Sequence, residues 1–211
     1  MCAVLKNGQR RPAFCRLSLK TFCEDGVEMM KRTDARVRYT QMILKESLLT
    51  LLKEKPINKI TVKEVCELAE LNRTTFYAHY SDCYALLESI EDELVAAFGR
   101  SLELVKSFDV SALIEAIYHI IEGNPEACQV LVFDGVSRSV LQRMIDLARD
   151  KSIAYWKSEL HKASEDELEM LYTHLSNGLM HVVVDGHGKY SRETVVGFVN
   201  RIVKSSLSLF Q

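Results

Sequence analysis

Three prolines, at positions 12, 56 and 125, are the only residues in this 211-residue chain that deny a helix both its donor and its backbone freedom. The stretches 57–124 and 126–211 therefore run without such a break, and nine glycines are spread over the whole chain. A sandwich or barrel needs turn signals every ~8–12 residues, so this punctuation is too sparse for either. Long helices satisfy it, and an all-α fold is expected. With 47% hydrophobic and 27% charged residues the chain has material for a core and an ordinary solvated surface. Its length permits one large domain or two small ones.

The charge is unevenly placed although the net value is only -2. Residues 31–82 carry +3 and residues 83–211 carry -7. A basic front on an acidic back suits a head that meets a polyanion and a body with another task. The six cysteines form no CxxC pair, which fits reduced thiols and a cytoplasmic setting better than a disulfide framework. Cys66 and Cys83 read as small core residues. No run of ~18 apolar residues spans a membrane, and residues 1–14 lack the apolar stretch of a secretory signal.

Residues 1–30 show no defensible period and are expected to be a flexible extension. Arg10, Arg11, Arg16 and Lys20 offer a second reading as a basic arm on DNA phosphates. From Thr33, a capping candidate, Ile43, Leu44, Leu48, Leu51 and Leu52 recur at helical steps until Lys55-Pro56 stops the helix. Thr61-Val-Lys-Glu64 has the form of a capping box, opening a short helix with Val62, Val65, Cys66 and Ala69 inward. Asn72 caps a second short helix, 73–80, and Ser81-Asp82 opens a longer one through about 107, with Leu86, Leu87, Ile90, Leu94 and Phe98 on its stripe. Two short helices separated by about three residues have the spacing of a helix-turn-helix, whose second helix enters the major groove. Residues 31–82 are thus a candidate DNA-binding head.

In 73–80, Phe76 and Tyr80 share a face and can pack with Leu48 and Leu87. The other face carries Arg73, Thr74, Thr75, Tyr77, Ala78 and His79, whose hydroxyl, imidazole and guanidinium donors suit phosphate oxygens. Arg73 can also read guanine, and Asn72 or a threonine can read adenine or thymine. Helix N-termini at Val62 and Arg73 add backbone donors and positive dipole ends, with Lys59 and Lys63 beside them.

The run Lys59-Ile-Thr-Val-Lys-Glu-Val65, followed by Ala69, by Asn72-Arg-Thr-Thr-Phe-Tyr-Ala-His-Tyr80 and by Leu86-Leu87, resembles the N-terminal domain of TetR-family transcriptional regulators. Close matching covers about 50 residues. The resemblance implies a homodimer, a three-helix DNA-binding head on a palindromic operator in double-stranded DNA, and a helical body, 83–211, that binds a small effector. It places Thr61 and Lys63 on phosphates, Asn72, Arg73, Thr74 and Thr75 near bases and backbone, and Tyr77 and His79 on phosphates. Three positions depart from the pattern: Glu70 replaces the usual turn glycine, Cys83 a frequent lysine, and Lys55-Pro56 a loop glycine. Glu70 is expected to point away from the groove. For each phosphate that the head does not neutralise, the salt slope of binding should fall by roughly 0.9.

Beyond Phe108, helices are expected near 111–122, 126–133, 137–162, 165–185 and 192–209, with Ser111, Ser164 and Ser191 as caps. Tyr118, Phe133, Met144, Tyr155, Trp156, Tyr172 and Met180 are candidates for an apolar ligand cavity, although such side chains at helical spacing usually form core. Leu171, Leu175, Leu179 and Val182, with Val195, Phe198, Val199, Ile202 and Val203, offer two stripes for a four-helix dimer interface. His174, His181 and His187 carry no metal-binding signature, and no cofactor is expected. His119, Cys128, His174 and Asp185 show no catalytic spacing, so the chain reads as a ligand-responsive repressor and not an enzyme. The alternative is a DNA-binding activator or adaptor whose body holds a protein partner. A closed cavity of about 300 Å³ or more would favour the effector, and an exposed apolar patch the partner.

Overall fold

The computed structural model describes residues 17–102 and 109–211, with only the backbone path given for residues 17–33 and for Arg138. Among the described residues the regular structure is helical. The basic positions 10, 11 and 16, and the side chain of Lys20, lie outside the described residues.

Two units divide the chain, 1–43 and 44–211. The first helix, α1 (Leu17–Leu52), starts well before Thr33, which lies inside the helix and not at its cap. No proline falls between Pro12 and Pro56, so nothing there forbids helix. In the first unit, the described side chains 34–43 are largely exposed, and Arg38 pairs with Asp34 at 3.0 Å across one turn.

The second unit begins with the buried end of α1. Leu44, Leu48, Leu49 and Leu52 are buried, as is the hydroxyl-bearing Ser47. After Pro56 a single 3₁₀ turn, Ile57–Lys59, leads to buried Ile60. Two short helices follow, α2 (Val62–Leu68) and α3 (Arg73–Tyr77), and then α4 (Cys83–Ser101). Val65, Cys66, Ala69, Phe76, Tyr80, Leu86 and Leu87 are all buried, so the expected three-helix core forms. Burial pushes the Cys83 thiol up to about 11, as for a packed hydrophobe.

The helix expected over 73–80 ends at Tyr77. Ala78 closes it, and the amides of His79 and Tyr80 turn back to the Phe76 carbonyl at 2.9 Å. The next helix forces this stop: Asp82 takes extended backbone and accepts a hydrogen bond from the Ala85 amide at 2.9 Å. That leaves only a short turn between the two helices.

Downstream lie α5 (Ser111–Gly123), α6 (Pro125–Cys128), a wide π turn over Gln129–Phe133, α7 (Arg138–Glu159), α8 (Glu165–Gly186) and α9 (Arg192–Ser208). Helix α4 packs on α5 and α7, α7 on α8, and α9 on α5 and α8. Ser164 and Ser191 cap as expected, and Ser164 with Glu167 completes a capping box. Ser111 does not cap: it is the first helical residue, and its amide donates to Asp109 Oδ1 at 2.9 Å. The expected dimer stripe on α9 divides. Val195, Val199 and Val203 are buried within the protomer, while Phe198 and Ile202, four apart, are 44% and 45% exposed. On α8, Leu175 is buried and Leu171, Leu179 and Val182 are half-buried.

Candidate nucleic-acid interface and body cavity

The head presents two capped helix starts. Thr61 accepts from the Glu64 amide at 3.3 Å while Glu64 Oε2 accepts from the Thr61 amide at 3.0 Å, which completes the box read from sequence. Glu64 also receives Lys55 Nζ at 2.5 Å. The Lys55 ammonium, followed by the Thr61 hydroxyl and amide, holds the Glu64 carboxyl down at about 2. Lys55 thereby ties the loop after α1 to the start of α2, a role hidden from the sequence because the two lie nine positions apart.

Asn72 Oδ1 accepts from the Thr75 amide at 2.7 Å and from the Thr75 hydroxyl at 2.9 Å. The cap therefore occupies the polar atoms of both residues that face its own helix. Around it, Arg73, Thr74 and Tyr77 are exposed, with Tyr77 at 58%, over a Phe76 that is fully buried. Thr75 and His79 differ from these: both are half-buried. Lys59, Thr61 and Lys63 are exposed as well, and Lys63 sits 3.6 Å from Glu67 on its own helix face. The head thus exposes polar donors along with two capped helix starts, those of α2 and α3.

Between α2 and α3, Glu70 is an exposed residue with a φ of 53°. Glycine adopts this left-handed conformation at no steric cost, and a glutamate there is strained. The turn geometry is kept without the residue that favours it.

In the body, a cavity of about 210 Å³ lies among α4, α5, α7, α8 and α9. It is smaller than the ~300 Å³ that a typical drug-sized site begins at. Of the expected ligand residues, Tyr155, Trp156, Tyr172 and Met180 line it. Tyr118, Phe133 and Met144 do not. Successive helical residues point about 100° apart, so Ile117 and Ile145 face the cavity while their neighbours Tyr118 and Met144 turn elsewhere. Tyr118 is buried with the Arg192 guanidinium 4.7 Å above its ring, and Phe133 stacks on His187 at 5.0 Å. Lys151, Ser152 and Ser176 also line the cavity, and the sequence pattern did not single them out. Spacing held the signal: 151 with 155, 152 with 156, and 172 with 176 and 180 are four-residue steps on one helical face.

Trp156 and Tyr172 pack with ring centroids 5.9 Å apart. The Tyr172 hydroxyl donates to the Ile145 carbonyl at 2.5 Å, and burial pushes its pKa up to about 12. Among the residues weighed for catalysis, Cys128 is buried and its thiol is raised to about 11, opposite to the shift that activates a nucleophile. His119 and His174 are exposed.

The described fold matches solved regulators of transcription. A TetR transcriptional regulator from Streptococcus agalactiae aligns with a TM-score of 0.60 at 20% identity, covering 82% of this chain and 98% of that one. A putative TetR-family regulator from Syntrophomonas wolfei gives 0.55 at 13% identity, covering 81% and 96%. A putative transcriptional regulator from Pseudomonas aeruginosa gives 0.55 at 15%, covering 81% and 93%. The chain has the TetR-regulator fold, an N-terminal helix-turn-helix followed by a helical body. In sequence, an uncharacterized HTH-type transcriptional regulator of Bacillus subtilis is 36% identical over 59 residues, 28% of this chain and 16% of that relative's length. No family model matches.

Proposed function

We propose that this chain is a sequence-specific DNA-binding regulator of transcription of the TetR type, a homodimer that grips a palindromic operator and releases it when a small molecule enters the body. The observation that carries the reading is the α3 surface. Arg73, Thr74 and Tyr77 stand exposed around buried Phe76 on a capped helix, and the same head exposes Lys59 and Lys63 around the capped start of α2. Such a face offers charge and hydrogen bonds to a phosphate backbone and one guanidinium to a base edge. Thr61, Asn72, Thr75 and His79 complete the proposed contact set, with Asn72 and Thr75 acting chiefly through the α3 cap.

Dimerisation is assigned to the α8–α9 side, where Phe198 and Ile202 share an exposed helix face. Helix α4 is the proposed lever. It starts at the head, and its far end, Phe98 and Leu102, walls the cavity. Along it Glu93 meets Lys45 of α1 at 2.6 Å, while Glu91 and Asp92 meet Arg143 of α7. An effector shifts DNA affinity only by its differential affinity for the two head dispositions, and operator DNA must weaken effector binding by the same factor.

Selection of duplexes from a random pool by the purified protein tests the reading. A palindromic consensus with half-sites about one turn, ~34 Å, apart is expected. Recovery of unenriched sequence at low and at moderate salt would overturn it.

A further inference from the structure

We infer that Arg143 of α7 is a positioning residue for DNA binding: it clasps α4 through Glu91 and Asp92, fixes how each head stands on its body, and so sets the half-site spacing that the dimer accepts. The inference deepens the DNA-binding half of the reading above and rests on it.

Helix α7 uses two faces. Ser139, Arg143 and Leu147 recur at four-residue steps on one of them, and all three meet α4. Ile145, Ala148, Ser152 and Trp156 lie on the other and line the cavity. The element that walls the cavity therefore also holds the helix that carries the head. On α4, Glu88, Glu91 and Asp92 stand three and four residues apart and share a face. Arg143 Nη1 sits 3.4 Å from Glu91 Oε2, its Nη2 pairs with Asp92, and Ser139 Oγ donates to Glu91 Oε2 at 3.3 Å. The Glu91 side chain is only 12% exposed. A carboxylate so far withdrawn from water is costly without its cation, so this contact resists opening. Lys53 of α1 and Glu126 of α6 make a second ion pair between head and body, at 3.4 Å, but both are exposed and such pairs contribute little.

Helix α4 has another fixed point on α7. A Cβ at Gly99 would lie 3.1 Å from Leu147 Cδ2, so the two helices approach closely there. At 1.5 Å per residue the clasp at Glu91 lies ~12 Å from that point, and the start of α4 at Cys83 lies about twice as far. A swing of α4 about Gly99 is thus roughly doubled between the clasp and the head. The head must follow, because Leu86 and Leu87 are buried in its core and Glu93 holds Lys45 of α1 at 2.6 Å. With the clasp closed one head disposition is held, and a duplex that needs another must open it at a cost in affinity.

The full-length protein is titrated with the duplex recovered by the operator selection, with the same half-sites moved two base pairs further apart, and with a duplex that carries one half-site. The wider spacing is expected to weaken binding to the unaltered protein by about tenfold or more, the scale of one charge-assisted contact opened. In Arg143→Met that penalty should fall to within about threefold, while affinity for the single half-site stays within about twofold. Arg143→Lys, which keeps the cation, should restore most of the penalty. Asp92→Asn removes one partner at an exposed position and should lower the penalty part-way, which keeps the test open where Arg143→Met does not fold. An unaltered protein indifferent to the wider spacing, a penalty unchanged in Arg143→Met or Asp92→Asn, single half-site binding that falls along with the penalty, or an Arg143→Lys that behaves as Arg143→Met would each overturn the inference. A selection that returns no palindrome removes the DNA-binding reading and this inference together, whereas a palindrome whose spacing penalty survives the substitutions removes the inference alone.

Discussion

The head and the body solve opposite problems with the same helices. In the head the useful atoms point outward from short elements, and local rules decide where they point: Asn72 caps α3, Thr61 and Glu64 box α2, and buried Phe76 sets which side of α3 is out. In the body the useful feature is an inward space, and it depends on how α4, α5, α7, α8 and α9 meet. The contrast teaches that a surface site is a property of one element and its caps, whereas a cavity is a property of several elements at once.

The contrast can be broken at its strongest point first. Phe76→Ala removes a fully buried ring from the head, and a loss of about 3–5 kcal/mol is expected in urea unfolding. If the Trp156 emission of the folded body persists at denaturant concentrations where α3 has unfolded, head and body are separable units; a single shared transition would make them one. Next, Arg73→Ala should weaken the selected duplex by about 1–3 kcal/mol and a random duplex by less. Equal losses in the two titrations would make Arg73 a backbone contact.

On the body side, Tyr172→Phe removes the hydroxyl that donates to the Ile145 carbonyl, and a loss of about 1–2 kcal/mol in chemical unfolding follows, with DNA affinity unchanged. Glu70→Gly should act in the other direction. Relief of the positive φ favours the folded state by roughly 0.5–1 kcal/mol net of the added freedom of the unfolded chain, read as a raised urea midpoint. It also removes a negative charge from the DNA-binding head, so DNA binding no weaker than that of the unaltered protein should accompany the raised midpoint.

The smallest effect concerns pH. The folded Glu64 carboxyl sits near 2 against 4.5 for the ordinary group, so its contribution to stability is complete above about 4.5 and is lost as pH falls through about 2. Glu64→Gln should therefore lower the urea midpoint at neutral pH, and the gap to the unaltered protein should close as the solution is acidified across that window. A gap independent of pH would show that the box hydrogen bonds matter and the charge does not.

Much of the head is legible in the sequence because its signals are local. The Thr61 and Asn72 caps, the inward Val65, Cys66 and Phe76, and the stop at Pro56 all follow from residues within one or two turns of each other. The end of α3 falls three residues short of the expected one, since the pattern of Phe76 and Tyr80 holds both in a helix and in the turn that replaces it. Only the demand of Asp82 for extended backbone separates the two. In the body, helix positions follow from Ser164, Ser191 and the glycine breaks. Which side chains face the cavity does not: Tyr118 and Met144 differ from Ile117 and Ile145 by one step of rotation, and no single-helix pattern says which neighbour lies across from them.

Helix content, the order of the elements, the caps and the donor-rich side of residues 73–77 are settled by the chain itself, because each depends on interactions a few residues long. The cavity with Lys151 and Ser176 among its lining residues, the Lys55 tie to Glu64, and the division of α9 into a buried valine stripe and an exposed Phe198–Ile202 face were decided only by tertiary packing. A helix is periodic and apolar on more than one face here, and only the neighbouring helices select which face they cover.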